Sequence, residues 1–404
     1  MTIQRPIPPA PGAPYPDHLT ADSPDAAQDR PAVVLQVLPA LGGGGVERGT
    51  VEMVQAITRA GGQALVASSG GLHASSVERA GGRNIILPLD TKNPRRILAN
   101  AAKLADIIRA ETVSIVHARS RAPAWSAWLA ARRTGARFVT TYHGAYNENV
   151  PFKRAYNAVM AKGEIVIAIS HFIAGLIQQR HQIDPARIRV IHRGVDPAIF
   201  DPALVPISRL MALNESWRLE VGPPIIVLPG RISRWKGQGV LIEALALMRN
   251  REARVVLVGD DQGRRKLVAE LVAQAERLGV AERLRFVGHE TDMPAVLRIA
   301  DVVVNASTDP EAFGRVVIEA QAMGATVIAS DHGGAVETIA HGETGWRVPP
   351  GNAQALADAL DYVLSLPIEA RRDMGAAARQ SVIDHYTTAV MQAKTLDVYR
   401  ELLG

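Results

Sequence analysis

The chain comprises 404 residues, 47% of them hydrophobic, and carries a formal net charge of +5. Such a length has room for two or three domains with substantial apolar cores, and no apolar run approaches the roughly 20 residues needed to cross a bilayer, which argues against an integral membrane protein. There is no cysteine, so disulfides and thiolate metal sites are excluded, a composition that fits the reducing cytoplasm.

Residues 1–30 are rich in Pro, Ala and Asp, lack the basic start and apolar centre of a secretory leader, and are expected to form a disordered tail. Beyond them, apolar runs of strand length alternate with helical patterns, as in parallel sheets covered on both faces. A first series of strands is expected at 33–38, 64–67, 84–87, 114–117, 138–141, 165–169 and 189–191, with helices such as 46–59, 94–109 and 122–133 between them. Prolines then cluster from Pro197 to Pro224 and mark an interdomain linker around 198–222. The second series follows at 225–228, 255–258, 284–287, 301–304, 326–329 and 346–348. Near the end, Met391, Val398, Tyr399 and Leu402 share one helical face, from which Leu396 departs. The expected fold class is α/β: two Rossmann-like doubly wound parallel-sheet domains facing each other across a cleft. The expected divisions are an N-terminal domain at 31–200, a C-terminal domain at 201–385 and a final helix at 386–404.

Ligands of open α/β sheets sit at the carboxyl ends of the strands. At those turns the chain places its most distinctive residues. A glycine run, Gly42 to Gly45, lies between the first strand and the first helix, where backbone can approach a ligand closely. It lacks the spaced glycines of a dinucleotide-cofactor loop. Glu47 follows at the helix start, where the macrodipole would favour it with or without a functional role. His143 stands in Tyr-His-Gly after a strand, and Ser170 with His171 occupies the next equivalent turn. In the second half, the loop Gly230-Arg-Ile-Ser-Arg-Trp-Lys236-Gly237 brings the cations Arg231 and Lys236 to a site where a diphosphate would depart. Glu311 and Glu319 are eight residues apart across a loop entering a helix, and Phe313, Gly314 and Arg315 between them offer free amides that would welcome phosphate. Spacing alone would also fit an amphipathic surface helix with two ordinary glutamates.

Taken together, residues 32–400 resemble the retaining glycosyltransferases of family 4, the glycosyl transferase group 1 enzymes of the two-Rossmann-domain (GT-B) type. The resemblance rests on Gly-Arg-x4-Lys-Gly at 230–237, Glu-x7-Glu at 311–319, and the turn Asp331 to Gly334 followed by Glu337, Gly342 and Gly345. It implies that Arg231 and Lys236 hold the donor diphosphate, Glu311 meets the donor sugar, Glu319 holds the ribose and His143 lies near the sugar. It also implies that Gly44 and Gly45 approach the sugar and diphosphate or the acceptor, and that backbone near Gly259 and His289 meets the base. It implies that the last helix crosses back to the N-terminal domain. One departure stands out: where many members read Asn-Gly-Val-Asp, this chain has Arg193-Gly-Val-Asp196.

The charge is divided. Residues 31–200 hold 21 Lys and Arg against 10 Asp and Glu, whereas residues 201–404 hold 22 against 26. Clusters at Lys92/Arg95/Arg96, Arg119/Arg121, Arg132/Arg133/Arg137 and Lys153/Arg154 are expected to attract an anionic membrane surface. No nucleic-acid-binding module is recognisable, so nucleic acid is not an expected partner. Neither an Asp-x-Asp clamp nor paired histidines at ligand spacing occur, so no essential metal or other cofactor is expected. The expected activity is retaining transfer of a hexose from GDP-mannose or a UDP-hexose to a lipid-linked or lipopolysaccharide-type acceptor. The enzyme is expected to be cytoplasmic and peripheral to the inner face of the membrane, with Glu47 and Ser170 as acceptor-side candidates. An epimerase, a phosphorylase or a non-catalytic nucleotide-sugar binder of the same form are the alternatives.

Overall fold

The computed structural model describes residues 31–146, Glu148 and residues 150–404; the tail expected at 1–30 lies outside them. Two parallel sheets form within one compact unit, Ala32–Gly404. The first contains β1 (Val33–Val37), β2 (Gln63–Ser68), β3 (Arg83–Ile86), β4 (Ile115–Ala118), β5 (Arg137–Tyr142), β6 (Ile165–Ala168) and β7 (Ile188–Val190). Their spatial order is β3-β2-β1-β4-β5-β6-β7. The second contains β8 (Ile225–Pro229), β9 (Arg254–Val258), β10 (Leu284–Gly288), β11 (Val302–Asn305), β12 (Thr326–Ser330) and β13 (Trp346–Val348), in the order β10-β9-β8-β11-β12-β13.

Each expected strand is present to within a residue or two at its ends. The reason is burial on both faces: β1, β4, β8, β11 and β12 are buried throughout, so their sequences read as predominantly apolar runs, interrupted inside β1 by Gln36 and inside β4 by His117. Every such Val, Ile or Leu contributes about 1.5–3 kcal/mol relative to exposure. Both sheets reverse direction next to their first strand, between β1 and β4 and between β8 and β11. At these two switch points adjacent loops diverge to opposite faces and leave a crevice at the strand ends.

The region expected as linker holds a helix, Ile207–Ser216, preceded by Pro206. Proline is tolerated at a helix start, so the proline density that reads as a break also permits this helix. It packs on the helix Met293–Ile299, helped by the Arg209–Asp292 ion pair and by Trp217 Nε1 donating to Glu290 Oε1 at 2.9 Å.

The terminal helix, Thr388–Leu403, lies against the first helix, Gly45–Arg59. Met391, Val398, Tyr399 and Leu402 are buried among Val34, Ile115 and Val139 of the first sheet, and Leu396 is half-buried against the same core. The chain returns there through a short pairing of Val195 with Thr387, in which Val195 N donates to Tyr386 O and Thr388 N to Val195 O. His117 on β4 sits between Tyr399 Oη at 2.7 Å and Thr141 Oγ1 at 2.6 Å. All three are buried. Replacing Tyr399 with Phe leaves one buried imidazole nitrogen without its partner, and is expected to lower the unfolding free energy by about 1–3 kcal/mol. Urea denaturation measures this; an unchanged midpoint would show that the helix is anchored by apolar contact alone.

Candidate active site

The two switch points face one another across a cleft of about 670 Å³. From the first half it is lined by Gly45, Val46, His143, Gly144 and Arg193; from the second by Arg231, Trp235, Lys236 and the run from Asp309 to Arg315. Of the residues singled out in sequence, it therefore collects Gly45, His143, Arg231, Lys236, Glu311, Phe313, Gly314 and Arg315. Gly44, Glu47, Ser170, Gly259, His289 and Glu319 do not line it.

Glycines allow the loops of the second half to close on each other. Gly237 has φ +74°, and a Cβ there would collide with the carbonyl of Ala306, so the β8 loop can approach the β11 loop only without a side chain. Gly333 and Gly334 similarly lie against the backbone of Glu311 and Ala312, with Gly334 N donating to Glu311 O at 2.7 Å. The turn Asp331 to Gly334 thus supports the Glu311 loop from behind, and His332 Nε2 adds a 2.8 Å contact to Ser307 O.

Within this frame Lys236 Nζ reaches Glu311 Oε1 at 2.7 Å, and Ser307 Oγ donates to the same oxygen at 2.6 Å. Both side chains are nearly buried. Burial pushes the Glu311 carboxyl upward, but the Lys236 ammonium and the hydrogen bonds of Lys236, Ser307 and Asn305 outweigh it and hold it below its ordinary range. Glu311 is accordingly a charged, fixed acceptor. The Lys236 ammonium also lies 4.5 Å from the centre of the Trp235 ring. Arg231 is exposed, and its guanidinium makes a single side-chain hydrogen bond among the described residues, to Gln262 Oε1 at 3.4 Å. Gly314, at φ +82°, starts the helix Arg315–Ala322, whose first turn is capped by no side chain and whose leading amides adjoin the cleft.

His143 forms part of the opposite wall. Its Nε2 is buried and has no hydrogen-bond partner. Burial, followed by repulsion from Arg119, Arg193 and His117, keeps the imidazole well below its ordinary value and hence neutral.

Glu319 does not point along the cleft beside Glu311. Only the second acid of the pair is helical, and it faces the first half of the molecule. Arg48 Nη1 donates to it at 3.4 Å and Arg315 Nε lies at 3.6 Å. Burial raises its pKa despite these two cations. The Ser170 hydroxyl donates to Ala312 O at 2.6 Å and accepts from Ile173 N, which makes it a link between the halves. Glu337 is a second such link: it accepts from His171 N and Phe172 N at the start of the helix His171–His181, and contacts His192 Nε2 at 2.8 Å. Among the described residues, His171, His192 and Glu337 are the one set with metal-ligand atoms close together, within 4.8 Å of one another. Gly259 serves packing, since a Cβ would strike the carbonyl of Gly230. His289 is exposed at the end of β10.

Sequence reading overlooked several participants. Ser307 and Asn305 carry no motif. Arg119 was grouped with exposed cations, yet it is 2% exposed and donates to Gln36 Oε1 at 3.0 Å. It cannot contribute to a membrane-facing surface. Arg193 was visible only as a departure from a familiar pattern.

A family model described as Glycosyl transferases group 1 matches residues 212–381, and one described as Glycosyltransferase Family 4 matches residues 43–199. The chain is 32% identical over 310 residues to a D-inositol 3-phosphate glycosyltransferase of Jonesia denitrificans, covering 69% of this chain and 70% of that protein. It is 26% identical over 317 residues to the N-acetyl-alpha-D-glucosaminyl L-malate synthase of Bacillus anthracis, covering 76% and 79%. A crystal structure of a glycosyltransferase from Rickettsia africae superposes with a TM-score of 0.86 at 39% identity, over 92% of this chain and 99% of that one. The Anabaena HepE protein in complex with UDP and glucose shares the fold, with a TM-score of 0.78 at 22% identity over 92% and 100% of the two chains. This chain belongs to glycosyltransferase family 4, and its facing parallel sheets are the GT-B fold.

The buried ion pair makes a specific energetic prediction. Lys236→Ala leaves the Glu311 carboxylate without its countercharge, and is expected to cost about 3–5 kcal/mol of stability. The double variant Lys236→Met/Glu311→Leu, which removes both charges, should recover most of that loss in chemical denaturation. Equal losses in the two variants would show that the pair is not electrostatically coupled.

Proposed function

We propose that the protein is a retaining hexosyltransferase that uses a nucleotide-sugar, GDP-mannose or a UDP-hexose, as donor. The observation that carries this reading is the Lys236–Glu311 pair set beside Arg231 and the uncapped helix start at Arg315, on one wall of a cleft between two Rossmann-like sheets. In transfer, the bond from the sugar C1 to the diphosphate oxygen breaks and a bond from C1 to the acceptor oxygen forms. Negative charge grows on the departing diphosphate while the sugar becomes oxocarbenium-like. Arg231, Lys236 and the amides near Gly314 and Arg315 compensate that charge. Glu311 accepts from sugar hydroxyls, and neutral His143 forms the opposite wall beside the same sugar.

No carboxylate stands opposite Glu311 in the set lining the cleft that would serve as a nucleophile. Attack on the face from which the diphosphate leaves, with a departing phosphate oxygen taking the acceptor proton, fits that arrangement. Glu319 is the ribose ligand in this reading, which requires Arg48 to give way when donor binds; Arg48 is half-exposed, so its pair with Glu319 is weak and easily exchanged. Backbone near Gly259 and His289 takes the base, while Gly44, Glu47 and Ser170 lie toward the acceptor.

For the acceptor, the reading is a lipid-linked or lipopolysaccharide-type glycan met at an anionic membrane. Lys92, Arg95, Arg96, Arg132, Arg133 and Arg154 are exposed on the basic half, and beside Lys153 and Arg154 the side chain of Phe152 is 89% exposed. Among the described residues no helix is long and apolar enough to cross a membrane. The names of the relatives favour a second reading, a small anionic acceptor such as an inositol phosphate or a hydroxy acid.

One experiment separates these. With the nucleotide-sugar that binds, transfer to lipid-linked glycan in anionic vesicles is compared with transfer to soluble inositol phosphate, and the product anomer is read by NMR. The expected outcome is a product that keeps the donor's anomeric configuration. Arg231→Ala should lower kcat/KM by about 10²–10³, and Phe152→Asp should reduce transfer only on vesicles. An inverted product would overturn the retaining assignment, and transfer to the soluble acceptor alone would overturn the membrane reading.

A further inference from the structure

Arg193 is 5% exposed, and its one direct hydrogen bond among the described residues is from Nη2 to Gly45 O at 2.7 Å. Among the described residues no carboxylate forms an ion pair with it. The acid whose charge acts on it is Glu52, which is already engaged by Arg315 at 3.7 Å; the other charges acting on it are Arg315, Arg119 and Arg48, all of its own sign. Burial first, and then these neighbours, draw the guanidinium down to about 9. It is nonetheless given space: Gly49, inside the first helix, is the position at which a Cβ would overlap the Arg193 guanidinium. Glycine inside a helix is unfavourable by about 1 kcal/mol relative to alanine, so room for this cation comes at a local cost in helix stability.

The same region holds other buried donors without partners. Nε of Arg119, and Nε and Nη1 of Arg315, are buried and make no hydrogen bond. Arg193 and Arg315 both line the cleft and both lie beside Gly45, Arg193 from the first half and Arg315 from the second. Arg315 has Glu52 and Glu319 within 3.7 Å, and Glu52 Oε2 is itself buried without a hydrogen bond, whereas Arg193 has no carboxylate at ion-pair distance among the described residues; an anion entering the cleft would supply one, and the planar fork of arginine matches the oxygens of phosphate or carboxylate.

We infer that Arg193, supported by Arg315, is an oxyanion-binding residue on the N-terminal wall of the cleft, and takes a phosphate or carboxylate group of a substrate. The inference builds on the proposed transferase reading. Two sources carry that chemistry: the diphosphate of the donor, or an anionic group on the acceptor itself. In either case the arginine that replaces the familiar asparagine sets which substrates are held, because neutral asparagine offers a dipole where this chain offers a full charge.

The test uses the full chain and three variants, Arg193→Asn, Arg193→Met and Arg193→Lys, with binding of UDP, of GDP and of inorganic phosphate measured separately by calorimetry. Phosphate is also titrated in the presence of whichever nucleotide binds. If the oxyanion belongs to the acceptor, wild type binds phosphate beside the nucleotide, Arg193→Asn and Arg193→Met weaken phosphate at least tenfold, Arg193→Lys stays within threefold, and nucleotide affinity is unchanged. If it belongs to the donor, phosphate competes with the nucleotide, and both neutral variants weaken the nucleotide at least tenfold. Neutral variants that fold and bind phosphate and nucleotide as wild type does would overturn the inference and leave Arg193 as a support for the Gly45 loop. A wild type that binds neither UDP nor GDP would count against the nucleotide-sugar reading, while the phosphate titration would still decide the role of Arg193.

Discussion

The arrangement of the cleft depends on one buried ion pair, Lys236 with Glu311, that ties the loop after β8 to the loop after β11 at a switch point of the second sheet. The two strands are neighbours, yet their loops meet only because Gly237 lets the first touch Ala306 and Gly333 and Gly334 let a third loop brace the second. A buried pair of this kind is a weak source of stability, since desolvation offsets most of the attraction. Its effect is positional. It fixes an ammonium and a carboxylate side by side in the cleft, where the proposed donor would bring a diphosphate and a sugar hydroxyl to opposite partners.

The other wall is held in place by contacts between the two halves. Ser170 bonds to Ala312, one residue from Glu311, and Glu337 reaches the leading amides of the helix His171–His181 and His192. Arg48 meets Glu319 across the same boundary. These are polar links, several of them part-exposed, and the apolar aromatic cluster of His192, Phe313 and Tyr386 lies beside them. Behind these polar links one apolar cluster runs through both halves, joining Ile169 and Ile173 to Phe313, Val317 and Ala335. The chain passes between the halves near Asp196 and again at Tyr386 to Thr388, and the two crossings are tied together by the pairing of Val195 with Thr387.

Much of the fold was legible because parallel strands buried on both faces leave unbroken apolar runs, and β8, β11 and β12 illustrate this directly. Loops bearing Arg231, Lys236 and Glu311 were legible because glycines and charges recur at strand ends. What escaped notice depends on direction and pairing rather than residue type. Glu311 and Glu319 are eight positions apart, but only the second is helical, so the two side chains diverge. Ser170 reads as a free hydroxyl, and its bond to a carbonyl 142 positions away leaves no local trace. Arg119 looks like one of many surface cations, although the strand before it carries it into the interior. The helix Ile207–Ser216 was hidden by the prolines that introduce it.

In the proposed reading, donor diphosphate and sugar lie between the Arg231/Lys236 loop, the helix start at Arg315 and His143. A crystal structure of the protein with its bound nucleotide-sugar tests it most directly. The account predicts phosphate oxygens within hydrogen-bond distance of Arg231, Lys236 and the Gly314–Arg315 amides, with sugar hydroxyls on Glu311 and His143. A nucleotide-sugar seated instead in the separate crevice lined by Arg48, His73 and Arg79 would contradict it.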